Sequence, residues 1–160
     1  ANINAEFQSF VIDRRVIHLA VHAKGVFNSQ SLFSNYTATL LSMTSFSLIP
    51  DAETYFLPEY RSSQYVGGGL NAVLSLRKRL DMRLDAYYYQ PFVALQKNNN
   101  GTASYSKPFK GDSYMASLSM IYFTFMGPLR ATINYFPKQA NPLVFQISYG
   151  YVLFNERAIR

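Results

Sequence analysis

Apolar and polar residues alternate along seven segments of this chain, and the connections between them run short, long, short, long, short, medium. The alternation is plainest in RATINYF (130–136) and VFQISYGYVLF (144–154), and FMGP at 125–128 shows how tight the short connections are. A repeat of two residues gives each strand one apolar and one polar face. Short turns at one end of the strands and long loops at the other is the layout of bacterial outer-membrane barrels. The expectation is an all-β chain forming part of an antiparallel transmembrane β-barrel, with a Tyr-rich soluble sandwich as the alternative.

Bulk composition fits that layout without demanding it. Hydrophobic residues make up 49% and mean hydropathy is -0.05, the result expected when lumenal polar residues cancel lipid-facing apolar ones. No run of about 18 apolar residues exists, so a helical span is excluded. The 13 Tyr and 13 Phe suffice to supply aromatic girdles at both membrane interfaces. Zero Cys excludes a disulfide scaffold and thiolate metal ligation. Net charge is +6, but outside Arg77-Lys78-Arg79 and the Arg157/Arg160 tail the cations are dispersed, which argues against a nucleic-acid partner. The sequence opens ANINA, with neither initiator Met nor signal peptide, and reads as a piece of something longer.

The first strand is expected at about 3–12, with Ile3, Ala5, Phe7 and Val11 on its apolar face and Asn4, Glu6 and Gln8 opposite. Asp13-Arg14-Arg15 turns the chain into a second strand, about 16–24, setting Ile17, Leu19, Val21 and Ala23 against His18, Ala20, His22 and Lys24. Two His and a Lys would be costly in a dry core; a hydrated lumen removes that cost. The long connection from Gly25 to about Gln64 carries apolar stretches with Pro50 and Pro58, and is expected to fold on itself or into the lumen. The third strand (about 65–76) places Leu70, Ala72, Leu74 and Leu76 outward, with Asn71 and Ser75 inward. The fourth (about 81–92) sets Met82, Leu84, Ala86 and Tyr88 against Asp81, Arg83, Asp85 and Tyr87. A polar, exposed loop is expected at about 93–112. The fifth strand (about 114–124) then sets Ala116, Leu118, Met120 and Tyr122 against Ser117 and Ser119. The sixth opposes Leu129, Ala131, Ile133 and Tyr135 to Arg130, Thr132 and Asn134. The seventh opposes Phe145, Ile147, Tyr149, Tyr151 and Leu153 to Gln146, Ser148, Gly150 and Val152.

Candidates for chemistry are few. His18 and His22 would meet on a helix, but on a strand they lie ~13 Å apart, so they read as lumen-lining residues; no metal or other cofactor is expected. Gly67-Gly68-Gly69 lacks the helix and Lys-Ser/Thr of a phosphate loop and suits a strand with a bend or close backbone approach. Asp81 and Asp85 could pair as acid and base, but Arg83 stands between them on the same face, which points to a charge network. Asn100-Gly101-Thr102 matches a glycosylation triplet too common to weigh.

Seven is odd, whereas bacterial single-chain barrels have even strand counts, and an open sheet would leave two edges in lipid. The missing strands must come from a preceding segment or another chain. With the three short turns in the periplasm, the seventh strand also ends there, as bacterial barrels do.

Several stretches resemble a known family. SNYTATLLS (34–42), FLPEYRSSQYVGGGL (56–70), LDAYYYQPF (84–92), FMGPLRATINYF (125–136) and ISYGYVLFNERAI (147–159) are similar to the C-terminal barrel of patatin-like phospholipases from the Bacteroidota. That barrel belongs to the bacterial surface antigen superfamily, with the outer-membrane assembly and two-partner secretion transporters. The resemblance implies a barrel of about 16 strands, preceded by a patatin hydrolase domain and a small periplasmic module, of which residues 1–160 supply the last seven strands. The 25–64 connection then falls where the family carries an extracellular loop whose Arg-Gly-aromatic tip enters the lumen. Glu59-Tyr60-Arg61-Ser62 keeps the Arg but not the following Gly and aromatic. By this resemblance Arg61 and Asp85 form the loop-anchoring pair. Gly127-Pro128 matches a periplasmic turn, and Phe145, Ile147, Tyr149, Gly150, Tyr151, Leu153 and Phe154 match the C-terminal recognition strand, here followed by Asn155–Arg160.

The expected function is to anchor or export an attached patatin-type lipid hydrolase from the outer membrane of a Gram-negative bacterium. An insertase or translocator barrel is the alternative, and a soluble β-rich binding module a further one. Patatin chemistry needs Ser in Gly-x-Ser-x-Gly and a partner Asp; that motif is absent, so no catalytic residue is assigned and the chain itself is expected to be inert. The partners implied are outer-membrane lipid, the missing barrel strands and the barrel assembly machinery.

Overall fold

The computed structural model describes residues 2–29 and 31–150. In chain order the elements are β1 (Asn2–Asp13), β2 (Ile17–Asn28), α1 (Tyr36–Ser42), β3 (Thr44–Ser45), β4 (Arg61–Ser62), β5 (Gln64–Arg77), β6 (Leu80–Pro91), β7 (Leu95–Lys97), β8 (Ala103–Tyr105), β9 (Ser113–Phe123), β10 (Pro128–Tyr135) and β11 (Leu143–Tyr149). The seven long strands make one antiparallel sheet in the order β1-β2-β5-β6-β9-β10-β11. Within it each strand pairs with the next long strand along the chain. The short pairs β3–β4 and β7–β8 are separate ladders.

Register follows the apolar alternation. Ile12, Leu19, Ala72, Leu84, Leu118, Ile133 and Phe145 are successive cross-strand partners, a single apolar row over all seven strands. One position along, Ala20, Asn71, Asp85, Ser117 and Asn134 line up on the opposite face. A slip of one residue would exchange the two rows, so the pattern itself holds the register.

The three tight turns, at 14–16, 78–79 and 124–127, share one end of the sheet, and the longer connections share the other. Segment 29–63 does not project away from the sheet. Its Phe46, Ile49, Ala52, Leu57 and Tyr60 pack against Val26, Tyr65, Tyr87, Tyr89, Met115 and Phe136, and this is the buried core. Inside the segment, the Asn35 side chain caps α1 by accepting from the Thr37 and Ala38 amides, which satisfies two of the donors a helix start leaves open.

Local expectations shift at four places. The β1–β2 register slips between Phe10 and Ile12, so Ile12, not Val11, meets Leu19 on the apolar face; a bulge makes two residues oppose one. A second slip between Ser75 and Arg77 takes Leu76 out of the simple alternation. β2 runs through Gly25, which pairs with Val66, so the long connection begins near residue 29 rather than 25. The loop at 92–112 contains the β7–β8 ladder, in register Leu95↔Tyr105 to Lys97↔Ala103. Tyr151, Val152, Leu153, Phe154 and the Arg157/Arg160 tail lie outside the described residues.

Candidate functional site

The sheet is inverted relative to one packed on a water-soluble core. Its apolar face is uncovered: Phe7, Leu70, Leu84, Leu118, Met120, Ile133, Phe145 and Ile147 are all exposed, several by half or more. Tyrosines stand in two rows on that face. Near the long-loop end Tyr88 pairs with Tyr114, whose ring lies 5.8 Å from that of Tyr135. Near the turn end Tyr122 and Tyr149 flank Leu129. Tyr122 follows Tyr114 by eight positions on β9, or about 26 Å of strand.

The opposite face is polar and internally bonded. Asp85, 1% exposed, lies at the centre. It accepts from Asn71 Nδ2 at 2.6 Å, Arg83 Nε at 2.8 Å, Arg83 Nη2 at 3.0 Å and the Tyr87 hydroxyl at 3.2 Å. Two donors from one guanidinium make this a bidentate, charge-assisted contact. Buried Ser119 and Thr132 share a hydrogen bond of 3.0 Å across β9 and β10. His18 Nδ1 meets Asp13 at 2.6 Å, while the His22 ring stands edge-on to Tyr87 at 6.0 Å. The two imidazoles thus have different partners, and no group of three or more metal-ligating side chains forms among the described residues.

Segment 29–63 is seated on this polar face by three kinds of contact. Asp51, buried in the short helical turn Pro50–Glu53, pairs with Arg130 of β10 and lies within 3.5 Å of the Asn134 amide. Tyr60, fully buried, donates to the Tyr114 carbonyl at 2.6 Å and accepts from Ser113 at 3.0 Å. Burial raises the Tyr60 pKa above the ordinary phenol value, against the opposing effect of the Ser113 bond. At the margins Tyr55 donates to Gln146 at 2.7 Å, and Gln139 donates to Glu59 at 2.8 Å.

Shape completes the seat. Phe46 lies over Gly67, where an added Cβ would come within 2.4 Å of the ring. Its ring centroid is 5.7 Å from that of Tyr65 and 5.2 Å from that of Tyr89. Gly67 therefore makes the hollow that the segment fills, and the three-glycine run serves close approach.

The structure does not bring Arg61 and Asp85 together. Asp85 is occupied by neighbours on its own sheet. Arg61 closes the segment on itself: its guanidinium donates to the Met43 carbonyl at 3.3 Å and lies 5.4 Å from the Phe56 ring centroid. The pin has the reverse polarity, an acid on the segment and a base on the strand. Gly127 takes positive φ (148°) in the last tight turn, and Pro128 opens β10. Of the proposed recognition strand, Phe145, Ile147 and Tyr149 lie in β11, and the Gly150 amide donates to the Pro128 carbonyl at 2.9 Å. Tyr151, Leu153 and Phe154 lie outside the described residues. Sequence reasoning missed Asp51, Tyr60 and Phe46; the one available signal was Arg130, a cation on the polar face with no acid on its own strand.

No protein-family model matches the chain, nor does any curated protein or solved structure.

Proposed function

We propose that this chain is a wall segment of an outer-membrane β-barrel, with lipid on its apolar face and a lumen, closed by segment 29–63, on its polar one. The supporting observation is the inversion of the sheet: an apolar row crosses seven strands uncovered, while charged and hydroxyl side chains are buried behind it. Water-soluble monomers rarely expose contiguous apolar patches beyond several hundred Å², and a bilayer is the solvent in which such a face is stable. The two tyrosine rows agree in spacing: about 26 Å of tilted strand corresponds to an apolar band some 20 Å tall, near the ~25 Å of known barrels. The edges β1 and β11, unpaired among the described residues, would join the remaining strands of the barrel.

In this reading the barrel anchors or exports a patatin-type lipid hydrolase carried by the same precursor, the role implied by the family resemblance. The chain contributes position rather than chemistry. The test is to express it with its native upstream segment and follow fractionation and heat-modifiable mobility. Recovery in the outer membrane as a heat-modifiable band is the expected outcome; a soluble, heat-unmodifiable monomer would refute the reading. A Gly-x-Ser-x-Gly elbow upstream, with lipase activity lost on its Ser→Ala change, is expected for the hydrolase role. Tandem periplasmic modules without an elbow would replace it with an insertase.

A further inference from the structure

Five cations gather on two adjacent tight turns, and none of them has an acidic partner among the described residues. Arg14 and Arg15 lie between β1 and β2, and Arg77, Lys78 and Arg79 lie at the β5–β6 hairpin. Because β2 pairs with β5, these turns are neighbours: the Ser75 amide donates to the Val16 carbonyl at 2.9 Å. Hairpins on adjacent strand pairs stand roughly 10 Å apart. All five side chains are exposed, and none forms an ion pair among the described residues. The two carboxylates closest in sequence do not neutralise them. Asp13 is engaged by His18, and Asp81 faces the polar side of the sheet opposite Ser75. Like charges so placed repel one another and add nothing to hairpin stability.

Their surroundings indicate a ligand. Directly beside the cations, exposed Val16, Ile17 and Leu76 form the margin of the uncovered apolar face. The third turn at the same end has no charge and instead exposes Phe125 and Met126. The end is thus divided into a basic half and an apolar half, both bordering the face assigned above to lipid. A partner that suits both halves has an apolar tail and an anionic head. Guanidinium groups pair with phosphate oxygens bidentately.

We propose that this patch binds the phosphate headgroups of anionic glycerophospholipids in the leaflet at the short-turn end. The proposal rests on the membrane reading given above. Each engaged cation strengthens association with an anionic surface by about fivefold at low salt.

The test uses the intact protein in phosphatidylcholine bilayers containing trace spin-labelled phosphatidylglycerol or spin-labelled phosphatidylcholine, with the motionally restricted fraction read by electron spin resonance. The expected result is a larger restricted fraction for phosphatidylglycerol, lost when salt shortens the screening length. The preference should vanish in the combined variant Arg14→Gln, Arg15→Gln, Arg77→Gln, Lys78→Gln, Arg79→Gln. It should persist when the four arginines are changed to Lys, which keeps the charge and controls for folding. Equal restriction of the two labels by the unaltered protein, or a preference that survives neutralisation, overturns the proposal and leaves the membrane reading standing. No restricted component for either label overturns both.

Discussion

Asp51 and Arg130 are far apart in the sequence and meet at the polar face, one buried and the other mostly so. Removing the acid leaves a guanidinium with its desolvation cost and only weak compensation. Asp51→Ala is expected to destabilise the seat of segment 29–63 by about 2 kcal/mol, measured as faster protease cleavage within that segment while the barrel stays heat-modifiable. Asp85→Ala should speed cleavage far less than Asp51→Ala, because its partners Arg83, Asn71 and Tyr87 all belong to the sheet; cleavage as fast as in Asp51→Ala would reinstate the Arg61–Asp85 pair. Tyr60 adds a pH dependence. Its folded pKa is raised, so the neutral phenol is the seated form. The stabilisation is complete below the ordinary phenol pKa of about 10 and is lost as pH climbs through the raised value. Protease resistance of the segment should therefore be flat through neutral pH and fall in strong alkali. Tyr60→Phe should shrink the alkaline step and cost about 1 kcal/mol at neutral pH.

Among the elements, the long strands were legible because period-two alternation is a strong and repeated signal. Their faces were assigned correctly along β2, β6, β9 and β10. Bulges were not legible: Val11 is as apolar as Ile12, and composition does not say which of two adjacent apolar residues opposes Leu19. The start of the long segment was missed because Gly25 looks like a breaker, yet within a sheet it simply leaves a gap in side chains. The loop seat was hidden for a different reason. Segment 29–63 offers Asp51, Glu53 and Glu59 as possible partners for Arg130, and only tertiary packing selects among them. The hollow at Gly67 was half legible, since a close approach was expected there but not the ring that fills it. Gly67→Ala should push Phe46 from its seat and expose the segment to protease. Combining it with Phe46→Leu should recover part of the loss, a coupling of about 1 kcal/mol in a double-mutant cycle.

At the scale of the whole molecule, the absence of Cys from residues 1–160 makes accessibility mapping of this stretch direct. Single substitutions Leu118→Cys and Ile133→Cys lie on the uncovered apolar face, and Ser148→Cys on the polar one. In the intact bilayer-embedded protein, a charged water-soluble maleimide is expected to leave the first two largely unmodified and to label the third. A lipid-soluble maleimide should reverse the preference. Equal labelling of all three by the charged reagent would mean that water bathes both faces, and the barrel reading would fail.

The way segment 29–63 crosses the sheet has a further consequence. Strand pairing alone is a chain of nearest neighbours, in which disorder at one edge need not be felt at the other. The segment joins distant members of that chain, from Val26 on β2 to Gln146 on β11. It acts as a cross-tie that converts serial stability into shared stability. Severing it at an engineered protease site should split one sharp melting transition into two broader ones, with hydrogen exchange rising unevenly across the strands it had tied together.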